Sequence, residues 1–287
     1  MTNRSEPWYW INENTRNFMA RGYLVDGQTT EERVKYIAEY AEKVLKQDGF
    51  AKKFEDYMSK GWISLATPVW ANFGLKRGLP ISCFGSYIPD DMGHILFTQS
   101  EVGMMSKYGG GCSAYFGALR ERGAEITQNG TSSGPVHFMQ LFEKLLDVVS
   151  QGATRRGVFA AYLPIEHPDI LEFLDIGTEG NPIQKINHAV TVTNEWLEEM
   201  AAGDETKRAI WAKVIQRRGE IGYPYIMFID NASDHKYTKT RTSRFTPVTS
   251  AVRLCSRVRR TGRLSVVSPQ STSCTTMIGK TPTSSRP

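Results

Sequence analysis

The stretch that most constrains this chain is residues 150–175, SQGATRRGVFAAYLPIEHPDILEFLD. Its first part, Gly152-Ala153-Thr154-Arg155-Arg156-Gly157, is a glycine-bounded loop with two adjacent guanidiniums. Glycine frees the backbone and each guanidinium is a planar, permanently charged fork, so the loop suits a phosphate or a carboxylate. Residues 158–163 are apolar and short enough for a buried strand. Pro168 stands where a first helical turn accepts proline, which opens a helix over residues 169–175. A cationic loop that feeds a core strand and then a helix is a unit of an α/β protein.

The rest of the chain divides in three. Residues 8–21 are an aromatic-rich lead-in, and Thr29 with Glu32 forms a capping box for a helix whose apolar face is Val34, Ile37, Ala38, Ala41, Val44 and Leu45, ending at Gly49. Phe50, Phe54, Tyr57 and Met58 repeat the helical spacing up to Gly61, so residues 1–61 are expected to be a small helical region whose aromatics serve packing. From Trp62 to residue 236, strands alternate with helices. Phe138, Leu141, Phe142, Leu145, Leu146 and Val149 mark one helix, Asn194 reads as the N-cap of a second over 195–202, residues 207–217 form a third, and 224–229 form a strand. That alternation implies a largely parallel sheet.

The formal charge of +5 is unevenly spread. Residues 237–287 hold ten Lys and Arg, 20 Ser and Thr, and no Asp or Glu, which leaves 25 basic and 30 acidic residues in 1–236. On composition the tail is expected to be disordered and basic. No run of eighteen apolar residues occurs, and the N-terminus lacks the apolar segment of a signal peptide, so a soluble, cytoplasmic protein without a membrane partner is expected. Cys83, Cys112, Cys255 and Cys274 have no CxxC or zinc-ligand spacing, which leaves buried thiols or redox chemistry open and assigns no metal.

The run TRRGVFAAYLPIEHPDILEFLD, followed by NHAVTVTNEW at 187–196 and GYPYIMFIDNA at 222–232, closely resembles the large (alpha) subunit of ribonucleotide reductases, and the resemblance extends from about residue 62 to about 231. It implies a partial ten-stranded α/β barrel behind the helical region, and the reduction of ribonucleotides for DNA precursor synthesis. Cys83 then matches a redox-active cysteine that forms a disulfide with a second one from a later strand; without the resemblance it is equally an inert strand cysteine. Thr67, Ser82 and Gly109 match substrate contacts, although Thr67 alone reads as a turn residue ahead of Pro68, and the run Gly109-Gly110-Gly111 as a tight turn or a weak phosphate cradle. Asp90 and Arg120 match the effector site, with Arg155 or Arg156 relaying effector identity. Cys112 and His167 read as structural. The family implies no cofactor in this chain, a radical from a metal-containing small subunit, ATP or deoxynucleotide effectors, a thioredoxin or glutaredoxin reductant, and a homodimer when complete. The family's activity domain precedes the helical region, which here begins almost at Met1, so an effector site without an activity switch is expected.

The family also carries a strand Asn-Leu-Cys-Ser-Glu with the radical cysteine, and none occurs in these 287 residues. The chain alone is therefore expected to be inactive. Joining the third base of each codon to the first two of the next changes this. Residues 249–253 then permit Asn-Leu-Cys-Ser-Glu, residues 272–281 permit Asn-Phe-Leu-Tyr-Tyr-Asp-Asp-Trp-Lys-Asp, and the Asp from Met277-Ile278 is forced because methionine has one codon. A frame shift near residues 235–237 is the expectation. Two other classes stay open: a non-enzymatic nucleotide-binding fragment, and a nucleic-acid arm built on Arg253, Arg257, Arg259, Arg260 and Arg263.

Overall fold

The computed structural model describes residues 6–127, 130–149 and 158–233, together with the backbone of 263–265. The arginine loop with Arg155 and Arg156, and the tail that carries the disorder, frame-shift and nucleic-acid readings, lie outside the described residues apart from that short backbone stretch. Two compact units divide between Pro80 and Ile81.

The first unit holds four helices: α1 (Glu13–Ala20), α2 (Thr30–Leu45), α3 (Phe50–Ser59) and α4 (Thr67–Asn72). The capping box forms as the residues require, with Glu32 N donating to Thr29 Oγ1 and Thr29 N donating to Glu32 Oε2. Val34, Ile37, Ala38 and Ala41 are buried while Val44, in the last turn, is exposed; α2 ends at a left-handed Lys46, ahead of Gly49, which instead opens α3. The unit runs past the boundary expected at Gly61. Arg33 is the reason: fully buried on α2, it donates from Nε to Trp70 O and from Nη2 to Val69 O and Phe73 O. It thereby ties α2 to carbonyls in and just after α4.

The second unit is built on a sheet of strand order β7-β6-β5-β2-β1-β8. In chain order it comprises β1 (Cys83–Tyr87), α5 (Met92–Lys107), β2 (Gly111–Tyr115), a small hairpin of β3 (Glu125–Ile126) and β4 (Gly130–Thr131), α6 (Pro135–Val149) and β5 (Phe159–Pro164). Then come α7 (Ile170–Leu174), β6 (Asn187–Val192), α8 (Asn194–Ala202), α9 (Glu205–Ile221), β7 (Tyr225–Phe228), α10 (Ile229–Ser233) and β8 (Arg263–Ser265). The first five strands to pair are parallel to one another, as the strand–helix alternation predicts, while β8 runs antiparallel to β1. The short β8 pairs amides and carbonyls on the outer edge of β1.

Residues alternate strictly on β5. Phe159, Ala161 and Leu163 are buried against Phe116, Phe142 and Leu146, while Ala160, Tyr162 and Pro164 face the other way. The helices cover the first face. Glu143 of α6, itself buried, fixes the entry to β6 by accepting hydrogen bonds from the backbone amides of Gln184, Lys185 and Ile186. One expected cap moves by a residue: Thr193, not Asn194, is the N-cap of α8, its hydroxyl accepting from Trp196 N, while Asn194 N donates to Asp230.

Candidate functional site

Register across the parallel strands decides what shares the second face of the sheet. Cys83 lies beside Gly111, and Tyr87 beside Tyr115, which in turn lies beside Tyr162. The missing side chain at Gly111 leaves one flank of the Cys83 thiol open, and Cys83 is partly buried and free. Ser82 Oγ is 4.0 Å from Cys83 Sγ. Cys112 is in register with Phe84, one position on, so it points to the apolar side. Burial pushes its thiol up to about 12, with a smaller contribution from Cys83. A thiol held protonated is a poor nucleophile at neutral pH.

The glycine run does not offer its amides to a ligand. Gly109 N donates to Ser106 O and Gly110 N to Met105 O in the turn that ends α5, while Gly111 N donates to Ser82 O and ties the start of β2 to β1. Gly110 must lack a side chain, because a Cβ there would meet Phe84 at 2.8 Å and Met105 O at 3.0 Å. The tight-turn reading is the one the hydrogen bonds support. Thr67, by contrast with its reading as a simple turn residue, is the first residue of α4, with Pro68 in the first turn.

Asp90 and Arg120, thirty residues apart, are brought together at the C-terminal end of β1. Arg120 Nε donates to Asp90 Oδ2 at 2.6 Å, and Nη1 donates to Glu125 O at 2.8 Å. Next to them, Asp91 caps α5 by accepting from His94 N, and those bonds hold its carboxyl below the usual range. Both partners of the Asp90–Arg120 pair keep about a third of their side-chain surface exposed, so the pair is reachable from solvent.

Sequence reasoning missed the row formed by Tyr87, Tyr115 and Tyr162. Tyr115 is buried and its phenol is pushed up to about 12, chiefly by burial and then by Tyr87 and Glu166. A signal existed, since tyrosine closes both Cys83–Tyr87 and Gly111–Tyr115, but only register shows that they adjoin. Among the described residues, no three His, Cys, Asp or Glu side chains could hold a metal ion, and no helix is long and apolar enough to cross a membrane.

Comparison with known proteins agrees with this architecture. The barrel domain of ribonucleotide reductases matches residues 81–207, and the all-alpha domain of the same enzymes matches residues 9–78. The chain is 27% identical over 245 residues to the ribonucleoside-diphosphate reductase large subunit of Invertebrate iridescent virus 6, covering 76% of this chain and 24% of the relative. It is 30% identical over 198 residues to the vitamin B12-dependent ribonucleoside-diphosphate reductase of Thermoplasma acidophilum, covering 63% of this chain and 26% of the relative. Among solved structures, the Actinobacillus ureae class Id ribonucleotide reductase alpha subunit is 52% identical with a TM-score of 0.73, over 79% of this chain and 42% of that one. The chain thus spans well under half the length of each. Two domains of one family match in order, and they meet where the two compact units divide, so the chain belongs to the ribonucleotide reductase large-subunit family.

Proposed function

We propose that this chain supplies the N-terminal part of a large subunit that reduces ribonucleotides to deoxyribonucleotides, with Cys83 as one of the two reducing cysteines. The observation that carries the proposal is the Cys83 thiol itself, which opens β1 on the face turned from the apolar core and has bare space beside it at Gly111. Two thiols deliver two electrons and two protons as their sulfurs join in a disulfide, so the pair reduces a bound ribose without a metal of its own. A thioredoxin or glutaredoxin type protein then returns the disulfide to thiols by exchange. A small subunit holding a metal supplies the radical that starts the reaction. Ser82, adjoining the thiol, Thr67 and Gly109 are the proposed substrate contacts, and the last two enter through the resemblance alone. The ten-strand closure of the barrel belongs to the complete subunit.

For regulation, Asp90 is proposed to hold the sugar hydroxyls of an ATP or deoxynucleotide effector and Arg120 its phosphates, with Arg155 or Arg156 completing the site. Asp90 and Arg120 adjoin and are both partly exposed, which supports one shared ligand that offers a sugar hydroxyl to the carboxylate and a phosphate to the guanidinium.

The decisive measurement is turnover of the frame-corrected large subunit, which carries the radical cysteine, assembled with its small subunit. Cys83→Ser should lower multiple turnover driven by a dithiol protein on the order of a thousandfold or more, because the disulfide can no longer form. Wild-type turnover in that variant would remove Cys83 from the mechanism and favour a non-enzymatic, nucleotide-binding role.

A homodimer is proposed to form through α5. Met92, Leu96, Phe97 and Met104 are each about half exposed on this helix, while Ile95 and Val102 are buried on its other side. A helix apolar on both sides needs a second partner. Leu96→Glu with Phe97→Glu should turn the assembled dimer into a monomer in sedimentation; an unchanged dimer would place the interface elsewhere.

A further inference from the structure

We propose that Arg122 and His167 are positioning residues that present Arg120 to the effector nucleotide, an inference that rests on the effector reading of Asp90 and Arg120. Arg120 lies between two anchored neighbours. On one side, Leu119 O accepts from the buried imidazole of His167 at 3.0 Å. Asp169 N donates to His167 Nδ1 at 3.1 Å, so Nδ1 is the acceptor and Nε2 carries the proton that reaches Leu119. Both ring nitrogens are thereby engaged, and the tautomer is set by the chain itself.

On the other side, Arg122 N donates to Asp169 Oδ2 at 2.9 Å. Its guanidinium grips Glu172 with a two-bond fork, Nε to Oε2 at 2.9 Å and Nη2 to Oε1 at 2.6 Å. The returning chain passes directly over this junction at Gly134, whose φ is +79° and where a Cβ would stand 2.7 Å from Asp169 Oδ2 and 3.1 Å from Arg122 N. Residues 119–122 and Gly134 therefore meet at one point, and the anchors sit on residues 167–172: His167 and Asp169 in the link after β5, and Glu172 in α7.

The Arg122–Glu172 pair is exposed on both sides, 48% and 38%, and such pairs add little to stability. What it does provide is direction. With Leu119 and Arg122 held, the Arg120 side chain has a fixed origin from which to reach Asp90 and Glu125 O.

The test measures dTTP affinity of the full chain together with its melting temperature. Arg122→Ala and Glu172→Ala should each weaken dTTP binding about tenfold, the double variant no further, and the exchange Arg122→Glu with Glu172→Arg should recover most of the loss. The melting temperature should move little, which separates positioning from general destabilisation. If Arg122→Ala does not fold, Arg122→Lys, which keeps the charge and loses the fork, carries the same expectation. If wild type binds no dTTP, or Arg120→Ala and Asp90→Ala leave binding intact, the effector reading fails and this inference with it. If those two abolish binding while Arg122→Ala and Glu172→Ala retain wild-type affinity, or the two losses add in the double variant, the effector reading stands and the positioning role is overturned.

Discussion

Read one base out of register from about codon 236, the encoding DNA should stay open past codon 287 and specify Asn-Leu-Cys-Ser-Glu followed by a second cysteine. The protein so encoded, supplied with a small subunit, should reduce ribonucleotides, whereas the present chain should give only background. The expectation rests on how little freedom the code leaves. Each shifted codon has two of its three bases set by this sequence, and the segments at 249–253 and 272–281 both permit what the family carries, in succession. Ser265-Val266 permits a cysteine in the same frame, where the second reducing thiol is expected. Composition points the same way. Residues 237–287, with 20 Ser and Thr and no carboxylate, hold too little apolar surface to supply further core strands like those that bury Phe159, Leu163, Val190 and Val192. Sequencing the DNA checks this directly. A stop codon soon after codon 236 in that frame, or a frame that encodes neither cysteine, would sink the proposal and leave the basic tail as the natural one; its nucleic-acid reading would then predict salt-sensitive DNA binding that disappears with residues 237–287.

Acidification should destabilise the second unit well before its carboxylates protonate, because of His188. This residue of β6 is 1% exposed, lies between Phe173 and a ring-stacked Tyr223, and has no hydrogen-bond partner on either nitrogen. Burial, and then the neighbouring Arg217, lower its pKa from 6.5 to about 4. The folded state therefore resists a proton that the unfolded chain accepts. Stability is complete above about pH 6.5 and is lost progressively as pH falls toward 4, by roughly 3 kcal/mol in all, with no further loss from this group below that. His188→Leu, which keeps the volume and removes the titration, should flatten the unfolding midpoint between pH 6.5 and 4.5. The same pH slope in wild type and variant would show that His188 is not the source.

Much of the fold was legible because it is written in short-range periodicity. The capping box at Thr29 and Glu32, the apolar stripe of α6 and the strand–proline–helix run from 158 to 175 are each specified within a few residues, where backbone sterics and local burial act. The helix α5 was not legible, since apolar residues surround it and leave no contrast between faces; neither was α1, hidden in an aromatic lead-in. Cys83, Asp90 and Arg120 could be singled out as residues through the resemblance, but not as an arrangement.

By itself, then, the sequence determined an α/β chain with a helical region in front, the elements that alternate in it, and the family to which it is similar. Only the tertiary structure decided which residues meet. Cys83 stands beside Gly111 while Cys112 points away, because a strand reverses its side chains at every residue and pairing register sets which of them share a face. Asp90 reaches Arg120, and Arg122 reaches Glu172, because strands packed side by side bring together residues thirty and fifty positions apart. The first unit extends to α4 because one buried guanidinium on α2 satisfies carbonyls some forty residues away. Such contacts depend on closing long stretches of chain, and no local pattern of residue types records where those closures fall.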